Sequence, residues 1–450
     1  MIVCKFGGSS CANAVQIRKV CDIVLADADR KIVVVSAPGK RNPEDTKVTD
    51  LLITLGNAMV SGYDGNRERE AVIGRFATIS SDLGLDGQMV EWLREDLDHR
   101  LASGCDNRNR FMDLIKSAGE DYCARLFHAY LTHLDVKATY VSPATAGMVV
   151  TSEFGNAQIL PDSYDKLSTL DRIPGILVFP GFFGVTREGE VATFSRGGSD
   201  ITGSILAAAL QASVYENWTD VDCVYAVNPA LVSNPHPIHE ITYDEMRELA
   251  YAGFSVLHEE ALVPAFRKGI PVFIRNTNNP SSRGTMIVNH RSAFDGIVTG
   301  IAGAKGFCSI TLNKYLMNRE VGFALKVLQI LADEGISFDH MPSGIDSLSI
   351  VLRSSMLPHE KEETIKRRLI EEIGVEHVEV TRNLSIVMIV GAAMARTVGV
   401  TARAATALAR AGVNLEVIIQ GASEISVMFG VREEFCDFAI RELYKEFFPR

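Results

Sequence analysis

The sequence predicts an α/β protein in which an open, mostly parallel sheet sandwiched by helices precedes two smaller α+β modules. Three observations carry that expectation. The chain opens as an apolar run (Ile2 to Phe6), a glycine turn (Gly7-Gly8), a helical run with Ile17, Val20, Ile23 and Val24 in phase, and a second apolar run (Ile32 to Val35). Strand, turn, helix and strand in that order begin a parallel sheet. A polar loop, Thr193-Phe194-Ser195-Arg196-Gly197-Gly198-Ser199-Asp200, leaves another short strand and enters an apolar helix through Ile205, Leu206 and Leu210. Near the carboxyl end, Gly322, Leu331, Gly335, Ile336, Gly344 and Ser349 recur 77 positions later as Gly399, Leu408, Gly412, Val413, Gly421 and Ser426. That spacing marks a tandem duplication.

From Thr49 to about Ala118 the pattern is helical, and the charges between Asn66 and Arg110 read as solvated helix faces. Ser117-Ala118-Gly119-Glu120 is expected to interrupt the helices, with a helical period resuming from Tyr122 to Leu134. Strands follow at Ala138 to Ser142, Ile176 to Phe179, Val191 to Phe194 and Val214 to Asn217. His236 and His239 have metal-like spacing but sit among prolines with no third ligand, so they read as loop. The character changes near Ile297, which sets the expected domains at residues 1–297, 298–382 and 383–450.

Composition narrows the function classes. The 450 residues are 47% hydrophobic and 22% charged, as in an ordinary soluble globular protein. A net charge of −11 without a basic run argues against nucleic acid as a partner. Eight cysteines without a CxxC pair read as reduced thiols of a cytoplasmic protein, and no apolar run approaches membrane length.

Two loops can carry chemistry. Adjacent glycines let backbone N–H groups converge on an anion, and a helix start adds partial positive charge. Lys5 precedes Gly7-Gly8 at a strand end, where its ammonium can hold transferring phosphate oxygens. Arg196 offers a planar fork to a carboxylate or phosphate, and Asp200 can cap its helix or hold a cationic side chain. No Walker sequence and no protein-kinase catalytic loop is present.

Taken with Trp218-Thr219-Asp220, in that order, these loops resemble aspartate kinases of the amino-acid kinase family, over essentially the whole chain. The tail repeat is similar to tandem ferredoxin-like ACT domains of the monofunctional, lysine-regulated type. The resemblance implies transfer of the ATP γ-phosphate to the β-carboxylate of L-aspartate, the first step toward lysine, threonine and methionine. Lys5, Gly7, Gly8 and Ser9 match the family's phosphate-cradling motif. Ser36, Thr49, Glu120 and Arg196 match its aspartate-binding residues, with Gly197, Gly198 and Ser199 in the same loop. Glu120 is the acid for the amino group and Arg196 the clamp for the α-carboxylate. Asp200 matches the aspartate that orients the active-site lysine, and Thr219, Asp220 and Tyr225 the nucleotide-binding segment. Mg²⁺ is expected mainly through ATP, with no metal site of the protein's own.

Two departures from the family pattern remove cations near the phosphates: Ser255 stands where many members carry lysine, and Asn228-Pro229-Ala230 replaces Asp-Pro-Arg. Arg275, at the end of an apolar run from Ile270 to Ile274, is the expected replacement. Arg267 and Lys268 read as helix-end charges. The alternatives are a kinase for another amino-acid carboxylate, such as glutamate, and a catalytically dead amino-acid sensor. The resemblance further implies an effector, lysine with threonine as second choice, held by Met317, Glu320, Ala324, Asp339, Ser343 and Gly344. It also implies a homodimer through the ACT domains, with a tetramer as the larger alternative.

Overall fold

A computed structural model describes residues 1–195, 197–254, 259–291 and 293–449, without the side chains of residues 259 and 260. The chain forms two compact units, Met1–Val224 with Pro237–Met246 and Ser255–Arg291, and Tyr225–His236 with Arg247–Phe254 and Ser292–Arg450.

In the first unit, β1 (Ile2–Phe6) runs into α1 (Ala14–Leu25) and β2 (Arg30–Val35). Four helices follow: α2 (Val48–Val60), α3 (Asn66–Asp82), α4 (Gln88–Leu101) and α5 (Arg108–His133). Then come β3 (Ala138–Tyr140), α6 (Pro143–Ala146), α7 (Ser163–Leu167) and β4 (Ile176–Pro180). The antiparallel pair β5 (Phe183–Val185) and β6 (Val191–Thr193) leads to α8 (Gly198–Ala209) and β7 (Val214–Thr219). Short strands β8 (Val224–Tyr225), β9 (Pro237–Ile238) and β10 (Glu240–Thr242) precede α9 (Tyr243–Tyr251) and α10 (Val263–Lys268), with Tyr225 of β8 and residues 247–251 of α9 counted in the second unit. Strands β11 (Val272–Asn276) and β12 (Thr285–Val288) complete the unit.

Its sheet has the order β10-β12-β11-β7-β1-β2-β4-β3. Every neighbouring pair is parallel except β11 with β12. Side chains alternate between the two faces of a strand. Cys4, Phe6, Val33, Val35, Val178 and Trp218 face one side and join a core with apolar residues of α1 to α5. Lys5 and Tyr215 face the other, where Gly203 of α8 packs so closely that an added Cβ would lie 2.6 Å from the Tyr215 ring.

Two expectations are corrected here. The helix is not interrupted at Ser117-Ala118-Gly119-Glu120; α5 runs through it for 26 residues. Gly119 marks a close packing rather than a break, since a Cβ there would lie 2.8 Å from the Ala37 Cβ and 3.2 Å from a Leu52 methyl. Nor are all charges between Asn66 and Arg110 solvated. Arg75 is buried and donates to the Gly39 carbonyl at 2.9 Å, while also pairing with Asp45 at 2.7 Å.

The second unit holds a five-stranded sheet of order β14-β13-β15-β17-β16. Its elements are β13 (Gly300–Asn313), α11 (Phe323–Asp333), β14 (Ser347–Arg353), α12 (His359–Ile373), β15 (His377–Val390), α13 (Val400–Arg410), β16 (Val417–Gln420), β17 (Ser426–Arg432) and α14 (Cys436–Phe447). The 77-residue offset holds from β13 to β15 and from α11 to α13. It lengthens by two residues before the last strand, so Ser347 and not Ser349 corresponds to Ser426. The two modules share their long strands: Ile301 belongs to one core with Val387 and Leu408, while Cys308 and Ile310 belong to the other with Val327 and Leu369.

Candidate active site

The loops at the carboxyl ends of β1, β2 and β7 converge through main-chain bonds. Gly7 N–H donates to the Trp218 carbonyl at 3.0 Å, Ser36 N–H to Phe6 at 3.1 Å, and Gly39 N–H to Gly8 at 2.8 Å. Gly8 and Gly39 cross backbone against backbone, and a Cβ on Gly39 would sit 2.6 Å from the Gly8 carbonyl carbon. Only glycine permits such an approach. Val48 N–H, opening α2, donates to Pro38 at 3.1 Å, which brings Thr49 in the first turn of α2 toward the Ser36 loop. Ser9 lies in the 3₁₀ turn after Gly8, and the buried Ser10 hydroxyl meets Thr277 at 2.8 Å.

Lys5 and Asp200 meet as the sequence suggests. The Lys5 ammonium lies 2.5 Å from Asp200 Oδ1, with both side chains largely buried. The same oxygen accepts from Asn217 Nδ2 at 2.7 Å, and Tyr215 donates its hydroxyl to the Asp200 carbonyl at 3.2 Å. Asn217 escaped the sequence reading, although its place two residues after Tyr215 on β7 puts it on the Lys5 face. Gly197 caps α8 in the left-handed region (φ 76°), Gly198 opens the helix, and Ser199 packs against Gly181. Arg196 and Ser255 lie outside the described residues.

Glu120 is buried at the middle of α5, with Oε2 lacking a hydrogen-bond partner among the described residues. Desolvation pushes its pKa up to about 8, against the Ala37 N–H and the charges of Lys5 and Lys116, which lower it. Burial penalises the charged form, and each pKa unit corresponds to about 1.4 kcal/mol.

Thr219 ends β7; its hydroxyl reaches Asp220 at 3.2 Å and its carbonyl accepts Thr277 N–H at 2.9 Å. Tyr225 falls in β8, within the second unit.

Arg275 is a correction. It lies inside β11, in register with Trp218, and so on the sheet face opposite Lys5. Its guanidinium sits 4.5 Å from the Trp218 ring centre, donates to Glu216 at 3.1 Å and donates to the Pro280 carbonyl at 2.7 Å. Glu216 also binds Arg30 at 2.8 Å and the Trp218 indole at 3.0 Å. Arg275 is thus spent on a buried structural cluster and does not replace the missing phosphate cation.

In the second unit, Asp339 accepts from the Tyr251 hydroxyl at 2.7 Å, and that hydroxyl lies 3.3 Å from His340 Nε2. Met317 is buried, Ala324 half-buried in the first turn of α11, and Ser343 and Gly344 form an exposed turn. Glu320 is already held by Lys314 at 2.5 Å and Lys326 at 2.7 Å.

Known proteins resemble the chain over its whole length. Residues 1–276 match the family model described as amino acid kinase family, and residues 387–447 the model described as ACT domain. Aspartokinase 3 of Bacillus subtilis is 52% identical over 448 residues, covering 100% of this chain and 99% of the relative. The Clostridium acetobutylicum aspartate kinase structure superposes with a TM-score of 0.87 at 38% identity, covering 99% of this chain and 100% of that one. Escherichia coli aspartokinase III, 28% identical, superposes with a TM-score of 0.82 in its complex with aspartate and ADP, the R-state, covering 99% of each chain. Its complex with lysine and aspartate, the T-state, gives 0.77, covering 100% of this chain and 99% of that one. The chain belongs to the amino acid kinase family, as one of its aspartokinases.

Proposed function

We propose that the chain transfers the γ-phosphoryl group of ATP to the β-carboxylate of L-aspartate. The product is 4-phospho-L-aspartate, the first intermediate toward lysine, threonine and methionine. The observation that carries the reading is Glu120, a buried carboxylate with an unpartnered oxygen in the field of Lys5. Burying such a group is costly unless a cation meets it, and the α-ammonium of aspartate is that cation.

The acceptor carboxylate is ionised at neutral pH, so no general base is needed, and the rate comes from positioning and charge neutralisation. Lys5, oriented by Asp200 and Asn217, meets phosphate oxygens beside Gly7, Gly8 and Ser9. Arg196 and the Ser36–Thr49 side take the aspartate carboxylates, and Thr219 and Asp220 the nucleotide. No cluster of three metal-ligating side chains occurs among the described residues. Mg²⁺ would be held mainly through the nucleotide phosphates, whose charge it would neutralise.

The effector is a basic amino acid, lysine first, whose side-chain ammonium takes Asp339 in the first module. Domain limits at 297 and 382, a homodimer through the ACT modules and a cytoplasmic location belong to the same proposal. Among the described residues no helix is long and apolar enough to cross a membrane.

The test is acyl-phosphate trapping with hydroxylamine, using ATP–Mg²⁺ with aspartate, glutamate or N-acetylglutamate. Aspartate-dependent hydroxamate is expected, and Lys5→Met should lower kcat by roughly 10²–10³. Equal turnover of glutamate, or no turnover of any acceptor, would sink the reading.

A further inference from the structure

Lys116 lies one helical turn before Glu120 on α5, on the same face. Its ammonium is 2.7 Å from Asp113 Oδ1 and 3.2 Å from the Thr193 hydroxyl, and it lies 5.9 Å from the centre of the Phe182 ring. Asp113 is buried, and its other oxygen accepts the main-chain N–H groups of Gly155 and Thr193, each at 2.7 Å. Thr193 ends β6 and enters the glycine loop. Phe182 supports the far end of that loop, since a Cβ on Gly198 would lie 2.5 Å from its ring. One ammonium therefore bonds the entry of the loop and lies over the ring that packs against Gly198, one helical turn from the carboxylate that the function requires.

We propose that Lys116, braced by Asp113, is a positioning residue for the aspartate site: it anchors Thr193 at the entry of the glycine loop and places a positive charge one helical turn from Glu120. This rests on the aspartate kinase reading above. Two roles are joined in one side chain. A lysine that merely neutralised Asp113 would need no contact with Thr193 or Phe182. The charged and titratable groups acting on Glu120 include Lys5 on β1, and Lys116 and the Cys123 thiol on α5, with the free Cys11 thiol hydrogen-bonded to Cys123. Lys5 and Lys116 are each paired with a carboxylate, Asp200 and Asp113 respectively, and Lys116 is the cation carried on Glu120's own helix.

The experiment compares Lys116→Met and Lys116→Arg in the full chain, measuring KM for aspartate and ATP, kcat, and the pH profile of kcat/KM for aspartate. Lys116→Met should raise the aspartate KM about tenfold and leave the ATP KM within about twofold. It should also move the rising limb of the profile to higher pH, and Lys116→Arg should restore both. A uniform loss of activity with an unmoved pH profile would reduce Lys116 to a structural partner of Asp113 and overturn the proposal. If Lys116→Met does not fold, Thr193→Val removes the loop contact while leaving the ion pair. A rise of about threefold in aspartate KM with an unmoved pH profile is expected there, and wild-type kinetics would overturn the loop role. Wild-type enzyme that makes no aspartate hydroxamate would sink the function itself, whereas an active enzyme indifferent to both variants would sink only this inference.

Discussion

The two ACT modules share a fold and a sheet but treat the same acid differently. Asp339 N–H donates to the Val351 carbonyl at 2.8 Å, and Glu416 N–H donates to the Gly430 carbonyl at 2.8 Å, so the two acids occupy equivalent places. Arg353 and Arg432 are likewise equivalent, each closing the last strand of its module. In the second module Arg432 donates to Glu416 at 3.1 Å. In the first, Arg353 instead lies 4.1 Å from the centre of the Phe307 ring. Phe307 is the cross-strand partner of Arg353, and Leu384 is that of Arg432. A phenyl face attracts a guanidinium and an isobutyl group does not. One aromatic residue thus keeps an arginine off Asp339, and the acid is left to the weaker Tyr251 hydroxyl. The duplicated fold thus holds one acid bonded to a hydroxyl and one already paired with an arginine.

The largest expected effect is at the acid itself. Asp339→Ala should abolish inhibition by lysine, read as activity over a lysine titration. Glu416→Ala should leave the titration unchanged and alter stability by no more than about 1 kcal/mol, as for an exposed ion pair. Lysine sensitivity surviving in Asp339→Ala would break the comparison outright.

A second contrast sets Asp339, which has a hydroxyl partner, against Glu120, whose Oε2 has none among the described residues. With its pKa raised to about 8, Glu120 is mostly protonated at pH 7 in the empty site. The aspartate KM should therefore fall by up to about tenfold per unit as pH rises toward 8, then level off. The protonated form's contribution to stability is complete below the ordinary value of 4.5 and is lost as pH rises through about 8. Glu120→Gln cannot ionise, so it should lose aspartate turnover yet melt above wild type at pH 9 without substrate. A flat aspartate KM between pH 6 and 8 would remove Glu120 from the site.

Phe307→Leu copies the second module into the first. Releasing Arg353 toward Asp339 should raise the half-inhibitory lysine concentration about tenfold, the scale of a cation–π contact of roughly 1–2 kcal/mol. Unchanged inhibition would mean that the ring does not hold the arginine away. The smallest effect belongs to Tyr251→Phe. Removing a hydrogen bond worth about 0.5–1.5 kcal/mol should lower the half-inhibitory lysine concentration severalfold. A higher concentration would show that the hydroxyl assists the effector rather than competing with it.

Sequence reading succeeded where chemistry is local and failed where residues meet across elements. The glycine turns and the duplication were legible because strand ends, glycine pairs and a fixed spacing are one-dimensional signals, whereas the Lys5–Asp200 partnership was implied by the family resemblance. Gly119 misled because a glycine that breaks a helix and one that admits a neighbouring side chain look alike in sequence. Arg75, Asn217 and Lys116 gave no signal, since each acts on a loop or carboxylate distant in the chain. Arg275 looked like a phosphate cation at a strand end, but the alternation of β11 turns it to the far face.

By itself the sequence determined the order of elements, the class of sheet, the two glycine loops and the existence of two related modules. These follow from apolar periodicity, turn chemistry and repetition, all properties of neighbouring residues. Apart from Lys5 with Asp200, which the resemblance implied, only the tertiary structure decided which cation belongs to which anion. It gave Arg275 to Glu216, Lys116 to Asp113 and Thr193, Arg432 to Glu416, and it left Glu120 with an unpartnered oxygen. Charge pairing is settled by strand register and by which face a residue occupies, and a shift of one position reverses both.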